Sequence, residues 1–156
     1  MARRRLGKSD IRGLNQRLQR FSIELSKDNA VEIVEEGGVV EYVVNGEPWL
    51  FEQKGLLIPH LRLLLRRPAT LKRVTVDMGA IRFIVNGADV MRPGVVAIDE
   101  GVGKGDLVVV VDEQHGKPLA VGEALFDTAE MRTTIEGKVV KTLHYVGDKQ
   151  WETTNK

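Results

Sequence analysis

Four short, valine-rich stretches fill the second half of this 156-residue chain, and none is long enough to be an amphipathic helix. They are Val95 to Ile98, Leu107 to Val111, Leu119 to Leu125 and Val139 to Val146, all rich in the β-branched residues that suit strands. Glycine-rich or polar connections separate them: the turn Gly101 to Gly105, a loop around His115-Gly116, and a polar segment from Asp127 to Gly137. Strands this short and this closely spaced predict a small β-barrel. Just ahead of them, Val74 to Asp77 reads as another strand, and Gly79 to Val85 as a buried helical turn stopped by Asn86-Gly87.

The first half is patterned differently. Ser9 is placed to cap a helix whose apolar positions Ile11, Leu14, Leu18 and Phe21 share one face, leaving Arg12, Arg17 and Arg20 on the rest. Val31 to Glu35 and Val39 to Val44 alternate as strands, and Asn45-Gly46 suits a tight hairpin turn before Trp49 to Gln53. Pro59 is expected to open a second helix, His60 to Arg67, with Leu61, Leu64 and Leu65 buried and Pro68 closing it. A boundary near Ala69 to Arg73 divides the chain into residues 1–72 and 73–156. The fold class is α+β: an N-terminal α/β domain with a small antiparallel sheet, then a barrel.

Composition narrows the chemistry. There are no cysteines, so disulfides, thiolate zinc sites and cysteine nucleophiles are all excluded. His60, His115 and His144 stand far apart and form no H-x-x-x-H pair, so no metal is expected. No apolar run reaches the roughly 20 residues of a membrane span, and the N-terminus shows no secretory pattern; a cytoplasmic protein is expected. Carboxylates are scattered, and Gly101-Val102-Gly103-Lys104-Gly105 lacks the spacing of a phosphate loop, so neither an enzyme nor a cofactor is expected. Charge is uneven: residues 1–72 hold 13 Lys/Arg against 9 Asp/Glu, and residues 73–156 hold 10 against 13. The surplus lies in the first 20 residues, where seven cations face only Asp10, a run that reads as a solvated arm able to attract a polyanion.

The second half carries a recognisable order of motifs. Gly87-Ala88-Asp89-Val90-Met91-Arg92-Pro93-Gly94-Val95, then Gly105-Asp106 ahead of a strand, Ala120-Val121-Gly122-Glu123-Ala124 and Gly137-Lys138 resemble the PUA domain, named for pseudouridine synthases and archaeosine transglycosylases. The resemblance implies a pseudo-barrel that binds structured RNA. With His60-Leu61-Arg62-Leu63-Leu64, Asp77 to Phe83, His144-Tyr145 and Trp151 added, the whole chain resembles the malignant T-cell-amplified sequence family, also called translation machinery-associated proteins, as a compact, archaeal-type relative. That likeness implies a non-enzymatic factor binding tRNA or rRNA on or near the small ribosomal subunit, beside a translation-factor partner such as the density-regulated protein.

By the same resemblance, the segment Arg82 to Val95 and the last strand form the RNA groove. Arg82, Arg92, Lys138 and Lys141 are then the phosphate contacts; Met91, Pro93 and Val95 are the apolar wall; Gly87, Ala88 and Gly94 lie along the approach, with Gly122 beyond them. A protruding single-stranded end such as the tRNA CCA tail suits such a groove better than a duplex, whose A-form major groove hides its base edges. Arg12, Arg17, Arg20, Arg62, Arg66 and Arg67 are candidates for a second basic patch touching ribosomal RNA or a partner. Two other readings stay open: a protein-interaction adaptor, favoured by the acidic balance of residues 73–156, and an RNA-binding accessory to an RNA-modification enzyme. Salt dependence separates the RNA reading from the adaptor, since phosphate contacts make log K fall steeply with log salt.

Overall fold

A computed structural model describes residues 2–153 of the chain. The basic N-terminus is a strand and not a solvated arm. β1 (Ala2–Arg5) pairs antiparallel with β2 (Val31–Glu36), and Arg3 Nε donates to Glu32 Oε2 at 2.8 Å. Between them lies α1 (Lys8–Leu18), capped by Gly7 and not by Ser9, because the Asp10 carboxylate accepts the Gly7 N–H at 3.3 Å. Leu14, Leu18 and Phe21 are buried, as their spacing predicts.

β3 (Val39–Val44), β4 (Glu47–Gln53) and β5 (Leu56–Pro59) complete a five-stranded antiparallel sheet in sequential order. Its last three strands are linked by Asn45-Gly46 and Lys54-Gly55, in which both residues have positive φ, the turn whose twist matches the flanking strands. The sequence pattern does not signal β5. Pro59 closes this strand opposite Leu50 instead of opening a helix, and His60 caps α2 (Leu61–Arg66) by accepting the Arg62 N–H on Nδ1 at 3.0 Å. α2 packs against both β4 and the barrel, so Leu61, Leu63 and Leu64 are buried on different sides of it, and Leu65, expected inside, is left 43% exposed.

The second half contains β6 (Lys72–Val76), a 3-10 turn Met78–Ala80 running into α3 (Ile81–Ile84), β7 (Val90–Met91) and β8 (Val95–Ile98). β9 (Leu107–Asp112), β10 (Pro118–Ala124), α4 (Thr128–Thr133), β11 (Lys138–Tyr145) and α5 (Lys149–Thr153) follow. The helix α4 corrects the expected loop from Asp127 to Gly137. Asp127 accepts the Glu130 N–H and Glu130 accepts the Asp127 N–H, a reciprocal cap, while Met131 is fully buried. Among the described residues no helix is long and apolar enough to cross a membrane.

The six strands run β7-β11-β10-β9-β6-β8, with β6 and β9 parallel. The two edge strands, β7 and β8, are consecutive in sequence and joined by the tight turn Arg92–Gly94, so the chain itself crosses the seam of the barrel. Arginines seal it. The Arg92 guanidinium donates to the carbonyls of Met131 at 2.7 Å and Val95 at 3.1 Å, and Arg132 donates to Ile98 at 3.2 Å. Carbonyls that an open edge would offer to another chain are satisfied within the molecule.

β9 is buried along its whole length. Val108 and Val110 face the barrel interior with Val74, Val76 and Met131, whereas Leu107, Val109 and Val111 join the core of the N-terminal half with Leu18, Phe21 and Leu50. Each such side chain contributes about 1.5–3 kcal/mol of burial, which makes β9 a wall shared by two cores. Beside it, the backbones of β10 and β11 approach closely at Gly122, where a Cβ would lie 2.5 Å from Val140 Cγ1 and 2.6 Å from the Lys141 oxygen. Gly122 therefore serves strand packing, not RNA approach.

Two histidines lie across the joint. His60, from the first half, and His144, from β11, are both fully buried with ring centroids 4.8 Å apart, and Phe51 meets both edge-on. His144 Nε2 accepts the Leu61 N–H at 3.2 Å, so Nδ1 carries the proton and donates to Asp148 Oδ2 at 2.8 Å. Burial alone would raise the Asp148 carboxyl, but this bond and the amides of Trp151 and Tyr145 outweigh it and hold it below the usual range. Burial, reinforced by the neighbouring His144, pushes the His60 imidazole down to about 3.

Two outcomes follow from the seam and the joint. Arg92→Ala is expected to lower stability by about 2 kcal/mol in urea titration, because it strands the carbonyls that the guanidinium serves. Arg92→Lys should recover only part of that. The His60 effect has a definite sign: its folded pKa lies below its unfolded value, so protons favour the unfolded chain. Its contribution is intact above about pH 6.5 and is lost as pH falls toward 3, by at most about 1.4 kcal/mol per pH unit. Urea midpoints between pH 7 and 5 should fall in the native chain and fall less in His60→Asn, which keeps a capping acceptor. Equal slopes in the two proteins would remove His60 as the cause.

Candidate functional site

A groove of about 640 Å³ opens at the C-terminal end of β6, between α3, β7 and the first residue of β11. Local sequence builds each wall. Asp77 accepts the Ala80 N–H at 2.9 Å and so starts the turn that leads into α3. Ile84 points inward and is buried, which leaves Phe83, its neighbour in this single helical turn, projecting outward at 54% exposure. Gly87 ends the segment at φ +90, with the Tyr145 ring 3.1 Å from where a Cβ would stand. Across the groove stand Met91, 49% exposed, and Pro93, and the floor is Ala80, Ile84 and Val90.

The polar side is fixed. Lys138 Nζ lies 2.8 Å from Asp89 Oδ2, and Asp89 Oδ1 accepts the Thr142 N–H at 2.8 Å. Burial pushes the Asp89 carboxyl up, but the Lys138 bond, the Thr142 amide and the charges of Lys138 and Lys141 more than offset it, so it lies below its ordinary value. Asp89 is thus a permanent anion that positions the ammonium of Lys138. At the lip, the Arg82 guanidinium lies 4.7 Å from the centre of the Phe83 ring. The groove is therefore an apolar slot flanked by one tethered cation and one cation laid over an exposed aromatic.

Of the residues expected from sequence, Ala88, Met91, Pro93, Gly94 and Lys138 line this groove. Arg82 stands at its rim, and Lys141 is exposed further along β11. Three expectations change. The Arg92 guanidinium is engaged by main-chain carbonyls and is not free for phosphate; Val95 is a barrel-core residue, only 7% exposed; and Gly94 packs tightly, since a Cβ there would meet Ala80 at 3.3 Å. Phe83, Asp77 and Asp89 also line the groove, beyond the residues expected from sequence. Phe83 was legible, because Ile81 and Ile84 at helical spacing claim the inward face and leave the aromatic between them on the outside.

The second basic patch does not assemble as a field of free cations. Arg17 pairs with Glu52 at 2.7 Å and Arg66 pairs with Glu47. Arg62 lies over Trp151 at 4.1 Å and Arg67 over Trp49 at 4.7 Å, and both tryptophans are half-buried against the core of the N-terminal half, unlike the exposed Phe83. Arg12 is exposed, and Arg20 lies over Phe21. Among the described residues no cluster of three His, Asp or Glu side chains is placed to hold a metal ion.

Comparison with known proteins agrees with this fold. Residues 72–146 match the PUA domain family, and residues 5–67 match a domain of unknown function, DUF1947. An uncharacterized protein of Methanocaldococcus jannaschii is 42% identical over 155 residues, covering 94% of this chain and 93% of that protein. Translation machinery-associated protein 20 of Schizosaccharomyces pombe is 35% identical over 132 residues, covering 81% of this chain and 73% of the relative. A crystal structure of a hypothetical protein from Pyrococcus horikoshii superposes with a TM-score of 0.85 at 37% identity, covering 98% of this chain and 99% of the other. The chain thus belongs to the translation machinery-associated and malignant T-cell-amplified sequence family, with a PUA domain as its second half.

Proposed function

We propose that the chain is a non-enzymatic, RNA-binding translation factor that holds the protruding end of a structured RNA in the groove of Phe83 and Met91. The observation that carries this reading is the pairing of two exposed apolar side chains, on opposite walls of one slot, with the tethered ammonium of Lys138. An unstacked base needs an apolar face to lie on and a cation nearby for its phosphate. Phe83 supplies the face and Lys138 and Arg82 the charge, and a single strand offers them an unstacked base where an A-form duplex hides its base edges. A terminal base of tRNA, such as its CCA tail, or an unpaired rRNA nucleotide meets these requirements.

Membership of a family whose relatives are named as translation machinery-associated supports placing this RNA on or near the small ribosomal subunit, in the cytoplasm, beside a protein partner. The adaptor reading has one observation of its own: Ile135, in the loop after α4, is 85% exposed and offers a protein a hydrophobic handle. The groove itself favours RNA, because Lys138 and Arg82 flank its apolar walls as a phosphate beside an unstacked base requires.

Phe83→Ala is expected to cost about 1–3 kcal/mol of affinity for a tRNA with an intact CCA end, measured by fluorescence anisotropy. A tRNA with a trimmed end should bind the native chain more weakly and be indifferent to the substitution. Equal affinities for all four combinations would contradict the reading. A Kd insensitive to salt would point to the adaptor instead.

A further inference from the structure

A second groove, of about 610 Å³, opens at the opposite end of β6, where the two halves of the chain meet. Its apolar floor includes Phe21, Leu71 and Leu107, and its rim carries Arg20 from the N-terminal half with Lys72 and Arg73 from β6. The three cations are not equivalent. Arg73 is engaged by Asp99, whose Oδ2 lies 3.5 Å from its guanidinium and also accepts its own N–H at 2.8 Å. Arg20 is steadied over the Phe21 ring at 4.9 Å, and the Lys72 stem crosses Gly101, where a Cβ would come within 3.3 Å of it. Neither Arg20 nor Lys72 forms an ion pair among the described residues, and both are exposed. The remaining acid of the rim, Asp106, accepts the Gly103 N–H at 2.7 Å.

The two grooves lie at the ends of one strand. From Lys72 to Asp77 the chain advances about 16 Å, a distance that a few nucleotides of extended RNA span. Between them runs the β6–β8 ribbon. Its exposed residues there, Val96 and Ala97, carry no charge, and Thr75 is its only hydroxyl. We propose that an RNA whose end occupies the Phe83 groove continues along this ribbon, and that Arg20 and Lys72 hold its phosphates in the second groove. The inference rests on the function proposed above and adds to it a role for the N-terminal half, which supplies Arg20. Cations over an apolar floor match a nucleotide, with its phosphate and base, better than they match an acidic peptide, which needs no such floor.

The test uses the full chain and two labelled single-stranded RNAs ending in CCA, one a trinucleotide and one of about 12 nucleotides. The Arg20→Gln, Lys72→Gln double variant should leave trinucleotide binding unchanged and weaken the longer RNA roughly tenfold. Its log Kd against log salt should also be shallower by about 0.7 for each cation removed. Phe83→Ala should weaken both RNAs. Thermal melting checks that the double variant is folded, which the exposure of both side chains favours. If Phe83→Ala weakens both RNAs while the double variant binds the longer one as the native chain does, the second groove is off the track and this inference fails alone. If Phe83→Ala alters neither, the groove reading fails and takes this inference with it. Loss of polyglutamate binding in the double variant, with the longer RNA unaffected, would assign the groove to an acidic protein and overturn the proposal.

Discussion

Everything else in the molecule depends on β9 being buried on both faces. Val108 and Val110 complete the barrel, while Leu107, Val109 and Val111 complete the core of the N-terminal half, so neither core is closed without the other. A strand with no solvent face cannot slip register without placing apolar residues against mismatched partners on either side. The joint beside it tolerates two buried imidazoles because both are hydrogen-bonded. Each is committed to one tautomer by a main-chain amide, Arg62 for His60 and Leu61 for His144, and both amides belong to the start of α2. The histidines therefore act as hydrogen-bonding spacers that fix α2 against β11.

The groove inherits its shape from the closure of the barrel. Because β7 and β8 are the two edges and a single turn joins them, that turn lies on the seam and its residues become the wall of the slot. The division of labour among the cations follows from this. Arg92 sits where main-chain carbonyls need donors and is drawn into the structure, whereas Lys138, opposite Met91 on the neighbouring strand, is held at the surface by Asp89. A planar guanidinium offers five donors in a fixed fork against the three of an ammonium, so an arginine seals the seam and a lysine stands at the groove.

The barrel was largely legible because its strands are short, valine-rich and bounded by glycines, and the hairpin at Asn45-Gly46 because that dipeptide tolerates positive φ at both positions. β5 escaped because its turn is Lys54-Gly55, and lysine rarely takes the left-handed conformation that it holds there. α4 was hidden in a polar stretch, although the Asp127-x-x-Glu130 cap marked its start. The site was legible as a segment and less so as side chains. Ala88, Met91, Pro93 and Lys138 meet in one groove, but sequence does not show that Arg92 has carbonyl partners on α4, some forty residues away. Nor does it show that Arg17, Arg62, Arg66 and Arg67 are each matched to a carboxylate or a tryptophan distant in the chain. Long-range pairing of arginine is a tertiary fact, and a count of cations does not reveal it.

Entry of RNA into the slot between α3 and β7 has a direct spectroscopic signature. Amide chemical-shift mapping of isotope-labelled protein, titrated with a tRNA acceptor stem ending in CCA, reads that entry residue by residue. The largest shifts are expected on Ala80, Phe83, Ala88, Met91 and Lys138, with Val108 and Val110 in the barrel interior unmoved. Shifts confined to α1, α2 and the five-stranded sheet, with Phe83 and Met91 silent, would contradict it.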